Sequence, residues 1–193
     1  VAIESESMEP NIEQGDLVFV MEERRFADGA ATAAATGRST GVVTARTGAE
    51  TGYTKFTEPG DVIVFRPDGS GLATPIIHRA MFWVEDGENW FDRADPDAIG
   101  RYEACETDDD PETDMGLPGC PAPHSGFITK GDNDATNGLY DQVAGIAGEP
   151  VRPDWIVGTA EFRIPLLGHV RLLFGLLGGP VGTLATALAA SAG

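Results

Sequence analysis

Apolar residues along this chain gather in short runs, each opened by a turn or a proline. Asp16–Met21 (DLVFVM) follows Gly15, and Val62–Phe65 follows Gly60-Asp61; both predict a tight turn running into a buried strand. The segments QGDLVFV and PGDVIVF echo each other, although two occurrences do not make a repeat architecture. Pro75–Val84 (PIIHRAMFWV) predicts a third strand. Residues 89–93 are expected to return beside it as a hairpin through the Asp86-Gly87 turn. Gly126–Lys130 and Trp155–Ile164 complete the set of strands. Between them, residues 27–55 are rich in Ala, Thr and Gly, and residues 94–125 in Asp, Pro and Gly. Both stretches predict long solvated loop insertions. The expected organisation is one mainly β domain over residues 1–165 and a tail over residues 166–193.

The tail changes the picture, because Leu172–Gly193 carries no charged residue. Crossing a hydrocarbon core of ~30 Å takes about 20 residues, so this run is long enough to be a membrane segment. Its glycines and alanines make it only weakly hydrophobic, and a helix lying on the membrane or packed on the domain fits as well. Residues 1–10 show neither a charged region nor an apolar stretch, so no signal peptide is expected there, and the abrupt apolar start reads as a trimmed end.

Charge narrows the function classes. Asp and Glu number 31 against 13 Lys and Arg, a formal charge of −18. Such a surface has no basic face for phosphates, which argues against a nucleic-acid partner. Only Lys55 and Lys130 are lysines. Molar salt shortens the Debye length to about 3 Å, so a surface this acidic becomes tolerable there, and a halophilic source is expected. The two cysteines exclude a disulfide-rich miniprotein and a four-cysteine zinc site. Cys105 and Cys120 bracket an acidic loop and can close it as a disulfide in an extracytoplasmic setting, worth ~3 kcal/mol. Asp108, Asp109, Asp110, Glu112 and Asp114 in that loop lack EF-hand spacing and read as a solvated face. His124 and His169 have no partners at ligand spacing, so no metal and no cofactor are expected.

The residues able to carry chemistry stand in three boxes. Ser5-Glu6-Ser7-Met8-Glu9-Pro10 precedes the first Gly-Asp turn; Ile76-Ile77-His78-Arg79 follows the second; Thr129-Lys130-Gly131-Asp132-Asn133 comes later, with Asp134 and Asp141 beyond it. Taken singly, Ser5 and Ser7 are turn residues, His78 is a core histidine, and Asp132 and Asp141 are turn formers. Together and in this order, the boxes resemble the type I signal peptidases, in the archaeal and endoplasmic-reticulum branch. A closing Val157-Gly158-Thr159-Ala160 segment is also similar.

The resemblance implies a signal-peptidase/LexA-like β fold, with a hydrophobic C-terminal helix here. It also implies a serine endopeptidase that removes signal peptides from exported preproteins after small residues at −1 and −3. The catalytic domain would lie on the extracytoplasmic face of the cell membrane. Ser7 falls on the nucleophile position, and Ser5, with the Ser7 N–H, on the oxyanion-binding one. A serine hydroxyl needs a base, and His78 stands where bacterial members carry lysine. Histidine titrates near neutrality and serves without deep desolvation. An aspartate on its far nitrogen would fix the tautomer. Asp141 is the choice by its place after the third box, with Asp132 the alternative and Lys130 the alternative base. Glu6 stands where the family has glycine; a positive φ there would strain it and mis-aim Ser7. The rival readings are a self-cleaving repressor-type serine protease, which lacks a helix-turn-helix here, and a non-catalytic homologue that binds peptides or scaffolds a translocation complex.

Overall fold

A computed structural model describes residues 1–21, 40–105 and 116–167. Its centre is a five-stranded antiparallel sheet in the order β1-β7-β4-β5-β6. The strands are β1 (Leu17–Met21), β4 (Val62–Phe65), β5 (Ile76–Val84), β6 (Gly126–Lys130) and β7 (Ile156–Ile164). A two-stranded ribbon, β2 (Thr54–Lys55) with β3 (Glu58–Pro59), stands beside it. The mainly β expectation therefore holds, and each main strand falls within about one residue of its apolar run.

Alternation along β4 explains the core. All four of its residues are buried, and consecutive side chains leave by opposite faces. Val62 and Val64 join Ile3, Met8, Ile12, Val18, Ile77 and Ala160, whereas Ile63 and Phe65 join Val42, Ala80, Phe127, Ala147 and Val151. A third cluster, around Phe82, Trp90, Leu117, Ile128 and Tyr140, closes the far end of β5. The two echoing segments flank one strand: β1 and β4 both pair antiparallel with β7. Gly158 of β7 is obligatory there, because a Cβ on it would lie 2.2 Å from the Met21 carbonyl oxygen.

Three expectations need correction. Residues 89–93 form no hairpin with β5; its outer neighbour is β6. The chain turns inward instead, because Trp90 is fully buried and its indole N–H donates to the Gly119 carbonyl at 2.8 Å. Residues 27–55 are not all solvated loop. A short helix, α1 (Ala45–Thr51), is capped by the Thr44 hydroxyl and ends at Gly52 in the left-handed region. Thr40, Val42, Thr44, Thr47 and Gly48 are buried, since small residues let this segment press on the Gly60 turn: a Cβ on Gly48 would lie 2.4 Å from Gly60 N. The described part of the 94–125 insertion, residues 94–105 and 116–125, is largely irregular as expected but not solvated throughout, with Ala98, Ile99, Leu117 and Ala122 in the core. Its acidic residues at 108–114 lie outside the described residues. No helix among the described residues is long and apolar enough to cross a membrane. The hydrophobic helix expected in the tail lies outside the described residues from residue 168 onward.

Candidate functional site

Ser5 and Ser7 sit on a loop that the core holds from one side and the third box from the other. Met8 is almost fully buried with Ile3, Ile12 and Val18, a burial worth about 1.5–3 kcal/mol. The Ser7 carbonyl accepts the Asn133 N–H at 2.9 Å, and the Asn133 side-chain amide donates to the Glu6 carbonyl at 2.9 Å. Gly131 must be glycine, because a Cβ there would lie 2.5 Å from the Ser7 carbonyl oxygen. The first and third boxes, more than a hundred residues apart in sequence, are thus clasped backbone to backbone.

The serine hydroxyls lie 3.2 Å apart, within hydrogen-bond reach. Among the described residues, the Ser7 N–H has no acceptor, which leaves it available to a ligand oxygen. Glu6 is exposed and is not among the positive-φ residues; its carbonyl accepts from Glu9 N and Asn133. The strain feared from a non-glycine residue is therefore absent, because this loop turns without a left-handed residue at position 6.

His78 and Arg79 are consecutive on β5, opposite Ile63 and Val62 of β4, and they serve different acids. The His78 Nδ1 lies 2.8 Å from both carboxylate oxygens of Asp141. This pair is buried, its side chains 4% and 0% exposed. The other ring nitrogen, Nε2, has no hydrogen-bond partner among the described residues, yet it is not a sealed, unpaired atom. Asp141 opens α3 (Asp141–Ala144), a single helical turn. The next residue, Gln142, fixes that turn to β6 by accepting the Thr129 N–H at 3.2 Å, and it also donates to the Glu149 carbonyl, beyond the turn, at 3.2 Å.

Arg79 takes the other aspartate of the third box. Its Nε and one terminal nitrogen donate to the two oxygens of Asp132 at 2.8 and 2.6 Å, a bidentate fork. The remaining terminal nitrogen donates to the Gly60 carbonyl at 2.8 Å and, at longer range, to those of Lys55, Glu58 and Pro59. Asn11 adds a bond to Asp132 at 3.0 Å. Asp132 is therefore not a partner of His78: an arginine beside the histidine, with five fixed donors, claims the carboxylate first. Lys130 is engaged too, 2.5 Å from Asp134 in α2 (Asp134–Asn137) and 3.2 Å from the Gly131 carbonyl.

The structure thus joins His78 with Asp141 and Ser5 with Ser7, and it binds the Ser7 backbone to the residues after β6. It forms no hydrogen bond between the Ser7 hydroxyl and His78 among the described residues; Ser5 holds that hydroxyl instead. Sequence reading did not anticipate Arg79, Asn11 or Gln142 as supports. The adjacency of Arg79 to His78 was the available signal for the first. A disulfide joins Cys105 to Cys120, as their bracketing of the loop allowed. No cluster of His, Cys, Asp and Glu able to hold a metal occurs among the described residues. Comparison with protein-family models, with curated proteins and with solved structures finds no match to this chain.

Proposed function

We propose that this chain is a membrane-associated serine endopeptidase of the type I signal-peptidase kind, with Ser7 as nucleophile, His78 as base and Asp141 orienting the base. The observation that carries the reading is the buried His78–Asp141 pair, with Nδ1 committed to the carboxylate and Nε2 left open. In that arrangement the carboxylate fixes the tautomer and supports the imidazolium, while Nε2 is free to take a serine proton. The Ser7 alkoxide then attacks the scissile carbonyl carbon, and the proton on His78 passes to the leaving amine. Water, activated in turn by His78, hydrolyses the acyl-enzyme. The unengaged Ser7 N–H and the Ser5 hydroxyl suit the oxyanion; losing one such donor costs about 3 kcal/mol of transition-state stabilisation. Binding of substrate is required to turn the Ser7 hydroxyl from Ser5 to His78, as catalytic hydrogen bonds often tighten only in the complex.

The substrate class, signal peptides of exported preproteins, rests on the likeness of the three boxes. Two further features favour the extracytoplasmic membrane face. The Cys105–Cys120 disulfide suits an oxidising compartment. Phe19 on the edge strand β1 and Phe162 on its neighbour β7 stack at 4.4 Å while 41% and 51% exposed, and Leu166 and Leu167 just after β7 are exposed too, apolar surface suited to lipid.

The test is cleavage of a preprotein with an Ala-x-Ala site, in molar salt, with lipid present. The unmutated chain is expected to cleave after the second alanine, and Ser7→Ala and His78→Ala are expected to lose cleavage by orders of magnitude. Unchanged cleavage by Ser7→Ala would remove the nucleophile assignment. Tight binding without cleavage by the folded, unmutated chain would favour the non-catalytic peptide-binding homologue, the reading that the Ser5–Ser7 contact keeps in play.

A further inference from the structure

A helix of one turn does not hold its own place, because its nucleation is unfavourable and its packing must fix it. This makes the support behind Asp141 a question in its own right. Gln142 ties the turn to β6 from one side. From the other side the support is Tyr140, the residue immediately before Asp141, only 3% exposed. Its backbone N–H donates to the Ala98 carbonyl at 3.0 Å, and its hydroxyl accepts the Asp95 N–H at 3.0 Å. Its own carbonyl accepts the N–H groups of Val143 and Ala144, closing the turn. The ring stands edge-on to Phe82 at 5.6 Å and to Trp90 at 6.1 Å.

Those neighbours lead to the disulfide. Trp90 is held by the Gly119 carbonyl, one residue before Cys120. Leu117 and Ala122 share the core with Tyr140, and the Leu117 N–H donates to the Ala104 carbonyl, one residue before Cys105. Cys105–Cys120 closes the frame. Residues 86–105 and 116–125, outwardly a surface insertion, thus form the wall against which the base pair is built.

We infer that Tyr140 is a positioning residue for Asp141, and that the loop closed by Cys105–Cys120 clamps Tyr140 through Trp90. This rests on the proposed role of the His78–Asp141 pair. Its consequence is that the base is sensitive to thiols at a distance. A dithiol reagent converts the bridge to two cysteine thiols and is itself oxidised to a cyclic disulfide, so the exchange balances in electrons and protons. The freed loop then releases Trp90 and Tyr140, and Asp141 drifts from Nδ1.

The experiment follows the imidazole nitrogens of His78 by NMR across pH, alongside kcat and KM, in the unmutated chain, Asp141→Asn, Tyr140→Phe, Tyr140→Leu and the dithiol-reduced chain. Asp141 is the one charged group hydrogen-bonded to His78 among the described residues, so Asp141→Asn sets the scale of the shift. Tyr140→Leu and the reduced chain are expected to move the His78 titration to lower pH, toward the Asp141→Asn value. They should lose kcat by about 10²-fold, the scale of a one-ångström misplacement, with KM little changed. Tyr140→Phe keeps the ring and is expected to keep the titration. A folded Tyr140→Leu chain with an unmoved His78 titration would overturn the inference; should that variant not fold, the reduced chain carries the same test. An unmutated chain that shows the expected NMR shifts but cleaves nothing would instead sink the peptidase reading and leave Tyr140 as the support of Asp141.

Discussion

Two neighbouring residues of β5 divide the chemistry of this molecule between them. Arg79 meets Asp132 in a bidentate pair that also gathers the carbonyls of the 55–60 turn; His78 meets Asp141 and leaves its other nitrogen open. The guanidinium is a permanent cation, whereas an imidazole is a group that can take up and release a proton. A second contrast separates the two Gly-Asp turns. Asp16 is buried, but Arg163 at 2.7 Å and the N–H groups of Glu13 and Leu166 bind its carboxylate. Burial pushes its pKa up, and these partners together outweigh it, so Asp16 titrates below the ordinary carboxylate value. Asp61, in the echoing turn, has the Tyr53 hydroxyl at 2.7 Å and the Val43 N–H at 2.8 Å. There burial wins, and Asp61 titrates above the ordinary value. One sequence device thus gives opposite electrostatics, decided by whether an arginine arrives from β7. Asp16 with its arginine and Asp61 without one therefore respond to pH with opposite sign.

The comparison can be broken at several points. The largest effect is expected from His78→Ala: cleavage should fall by about 10²–10⁴-fold, the usual worth of a general base, while near-ultraviolet circular dichroism keeps its folded signature. Arg79→Ala should do the reverse. It leaves Asp132 buried without its cation, and denaturant unfolding should show a loss of about 3–5 kcal/mol. The pair Arg79→Met with Asp132→Leu should recover much of that stability, whereas a loss below about 1 kcal/mol in Arg79→Ala would place this pair with weak surface bridges.

Smaller effects separate the two Gly-Asp turns. The stabilisation from Asp16 is fully present above its unfolded value near 4 and is lost as pH falls through its lower folded value. Unfolding curves of the unmutated chain and Asp16→Asn should therefore converge in acid. Asp61 has the opposite sign. Its contribution is present below its unfolded value and is lost as pH rises through the raised folded value, so the unmutated chain should gain on Asp61→Asn as pH falls. Parallel slopes for the two variants would erase the contrast between the turns.

Sequence pattern located the sheet well because each main strand is an apolar run between turn formers, and burial alone specifies such runs. It located the boxes but not their pairings. Which acid reaches His78 depends on where β6 ends and α3 begins, and both Asp132 and Asp141 follow a turn signal. The competition from Arg79 decides the pairing in three dimensions; the spacing of the two aspartates does not announce it, and the adjacency of Arg79 to His78 is the one hint. The helix α1 escaped notice because Ala45–Thr51 has no apolar period; its stability comes from a Thr44 cap and from close approach at Gly48. The expected hairpin at 89–93 failed for a similar reason. A local turn signal at Asp86-Gly87 was outweighed by the core position of Trp90, whose partner lies almost thirty residues on. Long-range burial overrode local propensity wherever the insertions folded back on the domain.

The roles of His78 and Asp141 are tested most directly by the pH dependence of kcat/KM for preprotein cleavage by the unmutated chain, Asp141→Asn and His78→Lys. The predicted result is a single limb that rises with pH as the base gives up its proton. Asp141→Asn should move it to lower pH with a much reduced plateau, because the carboxylate no longer supports the imidazolium. His78→Lys should move it to higher pH, toward the lysine range. A limb that stays in place in both variants would contradict the assignment of His78 and Asp141 as the pair that activates Ser7.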